Sequence, residues 1–114
     1  MTDLDLAFSA LADPVRRDVV RLLVREPHRP SDLAAALTLT RPATSKHLRV
    51  LRRAGLVRER AAEHDARERI YEARLEALAP VRGWIEEVEA FWNRQLAAFA
   101  AHVEKQRKAQ RRRR

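Results

Sequence analysis

The chain has 114 residues, of which 46% are apolar, and this is enough for one modest hydrophobic core in one domain. Lys and Arg number 24 against 16 Asp and Glu, an excess that favours an anionic partner such as nucleic acid or an acidic membrane surface. The sequence contains no Cys, which excludes disulfides, thiolate metal sites and cysteine nucleophiles.

The first third of the sequence predicts three short helices. An apolar segment at residues 4–11 is the first. Asp13 then supplies an N-cap, and Pro14 follows at the first helical position, where a proline costs no hydrogen bond. Ser31 is predicted to cap a third helix of about two turns.

A fourth, basic helix follows a tight connection. Thr40 is predicted to cap it, Leu48 and Leu51 mark its buried face, and Gly55 stands where a C-terminal glycine ends a helix. The segment that comprises the third and fourth helices therefore predicts a helix-turn-helix whose second helix has an arginine-rich outer face.

The spacing of apolar residues changes after the fourth helix. Residues 56–61 and 69–73 are predicted to form two strands of a hairpin, and helical periodicity returns from about residue 75 to roughly 106. The predicted fold class is mainly α with a small β-hairpin wing, a winged helix-turn-helix in the order αααα-ββ-α. Residues 1–106 are predicted to form this domain, and residues 107–114 are predicted to be a disordered basic tail.

The positive charge is concentrated in two segments. The last ten residues hold seven cations and no acid, and without them the remaining 17 cations almost balance the 16 acids. Residues 41–60 hold a further seven cations and one acid, Glu59, and are therefore suited to meet phosphate. The tail either strengthens DNA binding without specificity, by counterion release, or is a neutral disordered end.

The fourth helix and the hairpin supply most of the predicted DNA contacts. Recognition helices present their N-terminal half to base edges, where Arg or Lys can chelate guanine and Ser or Thr can donate to bases or phosphates. Arginines farther along this helix and in the hairpin suit backbone phosphates. The predicted DNA-binding residues are Ser31, Thr40, Arg41, Pro42, Thr44, Ser45, Lys46, His47, Arg49, Arg52, Arg53, Arg67 and Arg69.

Several motifs of this sequence are similar to one known family. They are ALADPVRR at 10–17, SDLA at 31–34, RPATSKHLRVL at 41–51, AGLV at 54–57 and a wing that ends in Ile70 and Tyr71. Together they resemble the ArsR-type winged-helix repressors. The resemblance implies a dimer held by the first and last helices that represses its own promoter region. It also supports a DNA contact for His47, whose alternative is a packing role at the edge of the apolar stripe.

Apolar residues recur at helical spacing along the last helix. A helix of about thirty residues spans roughly 45 Å, too long for one small domain to cover, so a second copy is expected on its apolar face. The alternatives are ordinary core within the chain and a small-molecule pocket among the aromatic residues. The predicted dimer interface comprises Leu4, Phe8, Leu11, Trp84, Val88, Phe91, Trp92, Leu96 and Phe99.

The sequence departs from the metal-sensing members of the family that it resembles. Those that sense arsenic carry Cys in the helix before the turn, and those that sense zinc use Asp/His and His/Glu pairs on the last helix, where this chain has only His102. We therefore expect no metal site and no cofactor, and the release signal is left open as an unknown small-molecule effector, a protein partner or nothing. Without a signal peptide or a bilayer-spanning segment, the protein is expected to be cytoplasmic with no membrane partner.

These observations predict a sequence-specific, homodimeric repressor that binds double-stranded DNA at a palindromic operator. The alternative is an architectural protein that binds nucleic acid nonspecifically through the same basic surface. An enzyme is not expected, because the chain has no cysteine nucleophile or metal cluster, and its two glycines, Gly55 and Gly83, leave little from which to build a phosphate-cradling loop.

Overall fold

A computed structural model describes residues 1–113. The chain forms five α-helices, one two-stranded antiparallel hairpin and one short 3₁₀ helix. Their bounds are α1 Asp3–Leu11, α2 Pro14–Arg25, α3 Pro30–Leu37, α4 Arg41–Arg53, β1 Val57–Ala61, β2 Arg69–Ala73, the 3₁₀ helix Leu75–Leu78 and α5 Ala79–Arg113. The predicted class, mainly α with a β-hairpin wing, is confirmed.

The first turns of α2 and α4 are closed by the predicted side chains. Asp13 Oδ1 accepts hydrogen bonds from the backbone N–H groups of Val15 (2.7 Å) and Arg16 (3.2 Å). Thr40 Oγ1 accepts from the N–H of Ala43 at 3.2 Å. Each bond satisfies a backbone donor that has no partner within its own helix, which explains where these helices begin.

The predicted cap of α3 is wrong. This helix begins at Pro30, so Ser31 lies in its first turn and Arg29 is the N-cap. Pro30 suits the first position because it has no N–H to leave unpaired. Asp32 closes the turn instead, since its Oδ2 accepts from the backbone N–H of Arg29 at 3.2 Å.

The wing is fixed to the helices along its second strand. In the hairpin, Arg58 lies opposite Glu72 and Glu59 lies opposite Tyr71. On its other edge β2 pairs with His28, which exchanges both backbone hydrogen bonds with Tyr71 at 3.0 and 2.8 Å. His28 thus acts as a one-residue third strand that ties the wing to the segment between α2 and α3.

One hydrophobic core lies within residues 1–81. Leucine and valine side chains from α2, α3, α4 and the start of the wing meet there, and Leu33 of α3 is completely buried among them. The core comprises Ala10, Val19, Leu23, Leu33, Leu48, Leu51, Leu56 and Val57. Each helix of the helix-turn-helix is therefore held by its own buried leucine.

Helix α5 is longer than predicted. It runs to Arg113, so residues 107–113 are helical rather than disordered, and Arg114 lies outside the described residues. Ala, Gln, Lys and Arg are strong helix formers, and cations in the last turn interact favourably with the helix dipole. The chain divides into two compact units at Val81, whereas a single domain was predicted up to residue 106. Within the described part, no helix is both long and apolar enough to cross a membrane.

Truncation of the buried α3 leucine is expected to destabilise the domain strongly. Leu33→Ala should lower the free energy of unfolding by roughly 2–5 kcal/mol, because it removes a fully buried side chain and leaves a cavity. Val24→Ala on the exposed side of α2 is the control and should change it by no more than about 0.5 kcal/mol. Urea unfolding followed by circular dichroism measures both, and equal losses would contradict the assignment of the core.

Candidate nucleic-acid interface

Helix α4 has one buried side and one exposed side. Thr44, Leu48 and Leu51 follow at intervals of four and three residues, and all three are buried. On the opposite side the helical spacing brings together a second set of side chains, all of them exposed. We call these residues the α4 face: Ser45, Lys46, Arg49 and Arg53.

The cations of the α4 face carry uncompensated charge. Among residues 1–113, Lys46, Arg49 and Arg53 form no ion pair with an acid, and neither does Arg41 at the start of the same helix. Four positive charges along one thirteen-residue helix create a strongly positive surface potential. Such a surface is suited to bind an anion as large as a nucleic-acid backbone.

Thr44 does not belong to this surface, which corrects the sequence-based prediction. Only 2% of the residue is exposed, and its Oγ1 donates to the backbone carbonyl of Thr40 at 2.9 Å. Thr44 precedes Leu48 by four residues and Leu51 by seven, and this is the spacing of the buried stripe. Satisfying its hydroxyl within the helix allows a polar residue to lie in the core.

His47 lies between the two sides of α4. It is partly buried, and its Nδ1 is buried without a hydrogen-bond partner among the described residues. This environment agrees with the packing role that the sequence left open. Its contact with DNA stays a prediction.

Three of the predicted polar residues meet where α3 and α4 begin. Ser31, Arg41 and Ser45 line an open hollow of about 250 Å³, together with Pro30 and Thr44. Thr40 and Pro42, also predicted to contact DNA, are exposed on the adjoining turn. The turn between the two helices thus places small hydroxyl groups beside the first cation of α4.

Glu59 connects α4 to the wing. No role is predicted for this residue from the sequence. Its Oε2 accepts from Arg52 Nη1 of α4 at 2.9 Å and from the Tyr71 hydroxyl at 3.1 Å. Its Oε1 is 2.8 Å from Arg69 Nε of β2. Arg52 and Arg69 are therefore brought together, as predicted for neighbouring phosphate contacts, but they share one carboxylate that offsets part of their charge.

Glu72 offsets the charge of two arginines on the other face of the hairpin. Arg60 Nε lies 3.0 Å from its Oε2, and Arg58 Nε donates to its Oε1. Hydrogen bonds from Arg58 and then Arg60 hold the pKa of Glu72 below its usual value. Among the arginines of the hairpin, only Arg67, at the exposed turn, forms no ion pair within residues 1–113. The cross-strand position of Glu72 opposite Arg58 was the signal in the sequence that could have revealed this neutralisation.

The loop end of the wing is tied to the start of α3 by a second ion-pair cluster. Arg29 Nη1 lies 2.8 Å from Glu68 Oε1, and Arg29 Nε lies 3.2 Å from Asp32 Oδ2. The hydrogen bond from Arg29 is the main reason that the pKa of Asp32 lies below its usual value. No set of three or more His, Asp or Glu side chains within residues 1–113 is arranged to hold a metal ion.

Removal of the Glu59 carboxylate is expected to lower the pKa of Tyr71. Burial raises this pKa, and the charge and hydrogen bond of Glu59 raise it further, whereas Arg52 and Arg69 lower it. In Glu59→Gln the two arginines remain and the phenol should ionise at lower pH. Because Tyr71 is the only tyrosine of the chain, its phenolate absorbance reports the titration directly.

Glu72→Gln is the matched control, since it removes a carboxylate of the same hairpin that does not contact Tyr71. It should leave the Tyr71 pKa unchanged. The same pKa in wild type and Glu59→Gln would show that the Glu59 cluster does not form in solution.

Comparison with known proteins agrees with this geometry. The family described as "Bacterial regulatory protein, arsR family" matches residues 13–59. HTH-type transcriptional regulator Rv2034 of Mycobacterium tuberculosis is 37% identical over 100 residues, which are 88% of each chain.

Solved structures of other bacterial proteins have the same fold. An ArsR-like transcriptional regulator from Rhodococcus sp. RHA1 superposes with a TM-score of 0.73 at 34% identity, over 85% of this chain and 89% of that one. NolR from Sinorhizobium fredii gives 0.61 at 29% identity, over 75% of this chain and 83% of its own. These similarities confirm the predicted resemblance: the chain belongs to the ArsR family of bacterial transcriptional regulators, which bind DNA through a winged helix-turn-helix.

Proposed function

We propose that this protein is a homodimeric repressor that binds a palindromic operator in double-stranded DNA and reads its bases with the α4 face. The observation that carries this proposal is the contrast in charge between α4 and the wing. Lys46, Arg49 and Arg53 have no acidic partner among the described residues, whereas Arg52 and all the strand arginines of the wing are paired with Glu59 or Glu72. The helix that enters the major groove therefore presents the free donors.

Base reading is proposed for the residues in the middle of α4. Arg49 is at the centre of the α4 face, and Ser45 and Lys46 lie one turn before it, toward the helix N-terminus. Guanine offers O6 and N7 to an Arg or Lys in the major groove, and this is the commonest specific contact in protein–DNA complexes. Ser45 adds a short donor that can reach a base edge or a phosphate.

Phosphate binding is proposed for the residues around this centre. They are Arg53 at the C-terminal end of the α4 face, Arg67 at the exposed hairpin turn and Arg41 with its neighbouring hydroxyls, all of them exposed. Arg52 and Arg69 keep exposed guanidinium groups while Glu59 fixes their position, so they can contact phosphate as an oriented pair. Contacts of this kind set the register of the protein on DNA without reading sequence.

A second copy of the chain is proposed to cover the apolar side of α5. The residues on this side recur every three or four positions, and all are at least two-fifths exposed, up to 67% for Phe99. We call this set the α5 apolar face: Trp84, Ile85, Val88, Phe91, Trp92, Leu96 and Phe99. Exposed patches of this size and continuity mark interaction sites in soluble proteins.

Helix α1 contributes a smaller part of the proposed interface. Leu4 and Leu11 are partly buried and Phe8 is 39% exposed, so one side of α1 retains accessible apolar surface. A symmetric dimer pairs identical surfaces, and its two recognition helices then meet successive major grooves about 34 Å apart. This geometry is the reason to expect an inverted repeat in the operator.

Loss of the central arginine is expected to weaken specific binding selectively. Arg49→Ala should weaken the free energy of binding by about 1–3 kcal/mol on the operator duplex and by much less on a scrambled duplex. The operator duplex is obtained by selection from a random-sequence library. Arg67→Ala is the control, because a phosphate contact should weaken binding to both duplexes by the same factor. Fluorescence anisotropy measures both variants, and equal losses on the two duplexes for Arg49→Ala would refute base reading.

A charge placed in the α5 apolar face is expected to separate the protomers. Phe91→Glu would bury an unpaired carboxylate in the proposed interface, so sedimentation should show a monomer and operator affinity should fall. Ala97→Glu places the same charge on the opposite side of the same helix and should leave the dimer intact. A dimeric Phe91→Glu protein, or a monomeric wild type, would contradict the proposed interface.

A further inference from the structure

The end of α5 is a second cationic surface that the helix-turn-helix does not use. Residues 105–113, which we call the basic segment, contain six cations and no acid, and every one of these residues is exposed. The cations are Lys105, Arg107, Lys108, Arg111, Arg112 and Arg113. Within the described chain none of them forms an ion pair. Their charge therefore has no acidic partner among residues 1–113.

We propose that the basic segment binds the phosphate backbone of double-stranded DNA without regard to sequence, in addition to the contacts of the α4 face. The proposal rests on the function proposed above, because a chain held on DNA by α4 carries its own basic segment to the same DNA molecule. Tethering of this kind raises the effective concentration of the second contact and adds affinity without any sequence requirement. Each phosphate neutralised releases condensed counterions.

The composition of the basic segment disfavours other partners. Ala109 is its only apolar residue, so it has no hydrophobic side to insert at a lipid interface and no aromatic or aliphatic anchor for a protein partner. The charges surround the helix instead of forming a stripe, which suits a partner that is itself a dense line of negative charge.

A second copy of the chain does not explain the segment either. The large apolar residues of α5 end at Val103, and the dense run of cations begins at Lys105. In a parallel pair of helices the two basic segments would lie side by side and repel each other. In an antiparallel pair centred on the α5 apolar face, residues 105–113 would extend past the start of the partner's helix. Neither arrangement brings the basic segment against the acids at positions 86, 87 and 89 of the partner's α5.

The test compares full-length proteins that differ only in the basic segment. One variant replaces the six cations by Gln, which is also a strong helix former, and a second keeps the charge by replacing arginine with lysine. The substitutions are K105Q, R107Q, K108Q, R111Q, R112Q and R113Q in the first variant, and R107K, R111K, R112K and R113K in the second. Anisotropy across a salt series gives the slope of log Kobs against log salt concentration on the operator duplex and on a scrambled duplex.

The Gln variant should lower the magnitude of the slope by about 0.9 for each phosphate that the segment no longer neutralises, so by roughly 3 to 5 for each protomer if most of its six cations bind. Its affinity should fall by the same factor on both duplexes, and the ratio between them should stay unchanged. The Lys variant should match wild type, because phosphate binding of this kind depends on charge. An unchanged slope in the Gln variant would overturn the proposal.

Two further outcomes would also overturn it. A decrease in affinity confined to the operator duplex would make the segment a specificity element. Binding of wild type, but not of the Gln variant, to vesicles of anionic phospholipid, with DNA binding unchanged, would assign the segment to a membrane surface. Failure of the repressor proposal can be distinguished from failure of this one. In that case wild type would bind operator and scrambled DNA with equal affinity, while the slopes of wild type and the Gln variant would still differ.

Discussion

The burial of Leu48 and Leu51 sets the orientation of α4, and much of the structure depends on it. These two leucines and Thr44 fix one side of a thirteen-residue helix against the core. Because an α-helix repeats every 3.6 residues, fixing that side also determines which residues point outward. The α4 face is therefore positioned by packing that takes no part in DNA binding, and its cations are presented on a rigid element. A site built this way loses little conformational entropy when it meets its ligand.

The second organising feature is the distribution of acids. Glu59 and Glu72 lie in the hairpin and pair with arginines on both of its faces, and Glu68 pairs with Arg29 at the loop end of the wing. The contacts of Glu59 and Glu68 hold the wing against α4 and the start of α3, and all three acids reduce its net charge. No acid is placed where it would offset the cations of the α4 face within the described residues. The position of the unpaired cations, more than the total number of cations, therefore determines where the surface holds an anionic partner.

Much of this arrangement follows from local sequence rules. The caps of α2 and α4, the hairpin strands and the buried leucines of α4 were all predicted, because each depends on residues close together in the chain. Thr44 was misplaced because its polarity was given more weight than its spacing from Leu48. The ion pairs of Glu59 could not be predicted, since they join α4 to both strands and depend on how the wing packs. The helical end of α5 was missed because a run of like charge was taken to mean disorder, although its residues are strong helix formers.

The central claim is that two α4 faces, presented by one dimer, read DNA sequence in successive major grooves. Selection of duplexes from a random-sequence library by the full-length protein tests this most directly, with the affinity of the selected and scrambled duplexes then measured at matched salt concentrations. The account predicts an enriched inverted repeat with half-site centres about one helical turn apart, and a preference of roughly a thousandfold or more over scrambled DNA. A library that yields no enriched sequence, with equal and steeply salt-dependent binding to all duplexes, would contradict it and indicate a protein that binds only the DNA backbone.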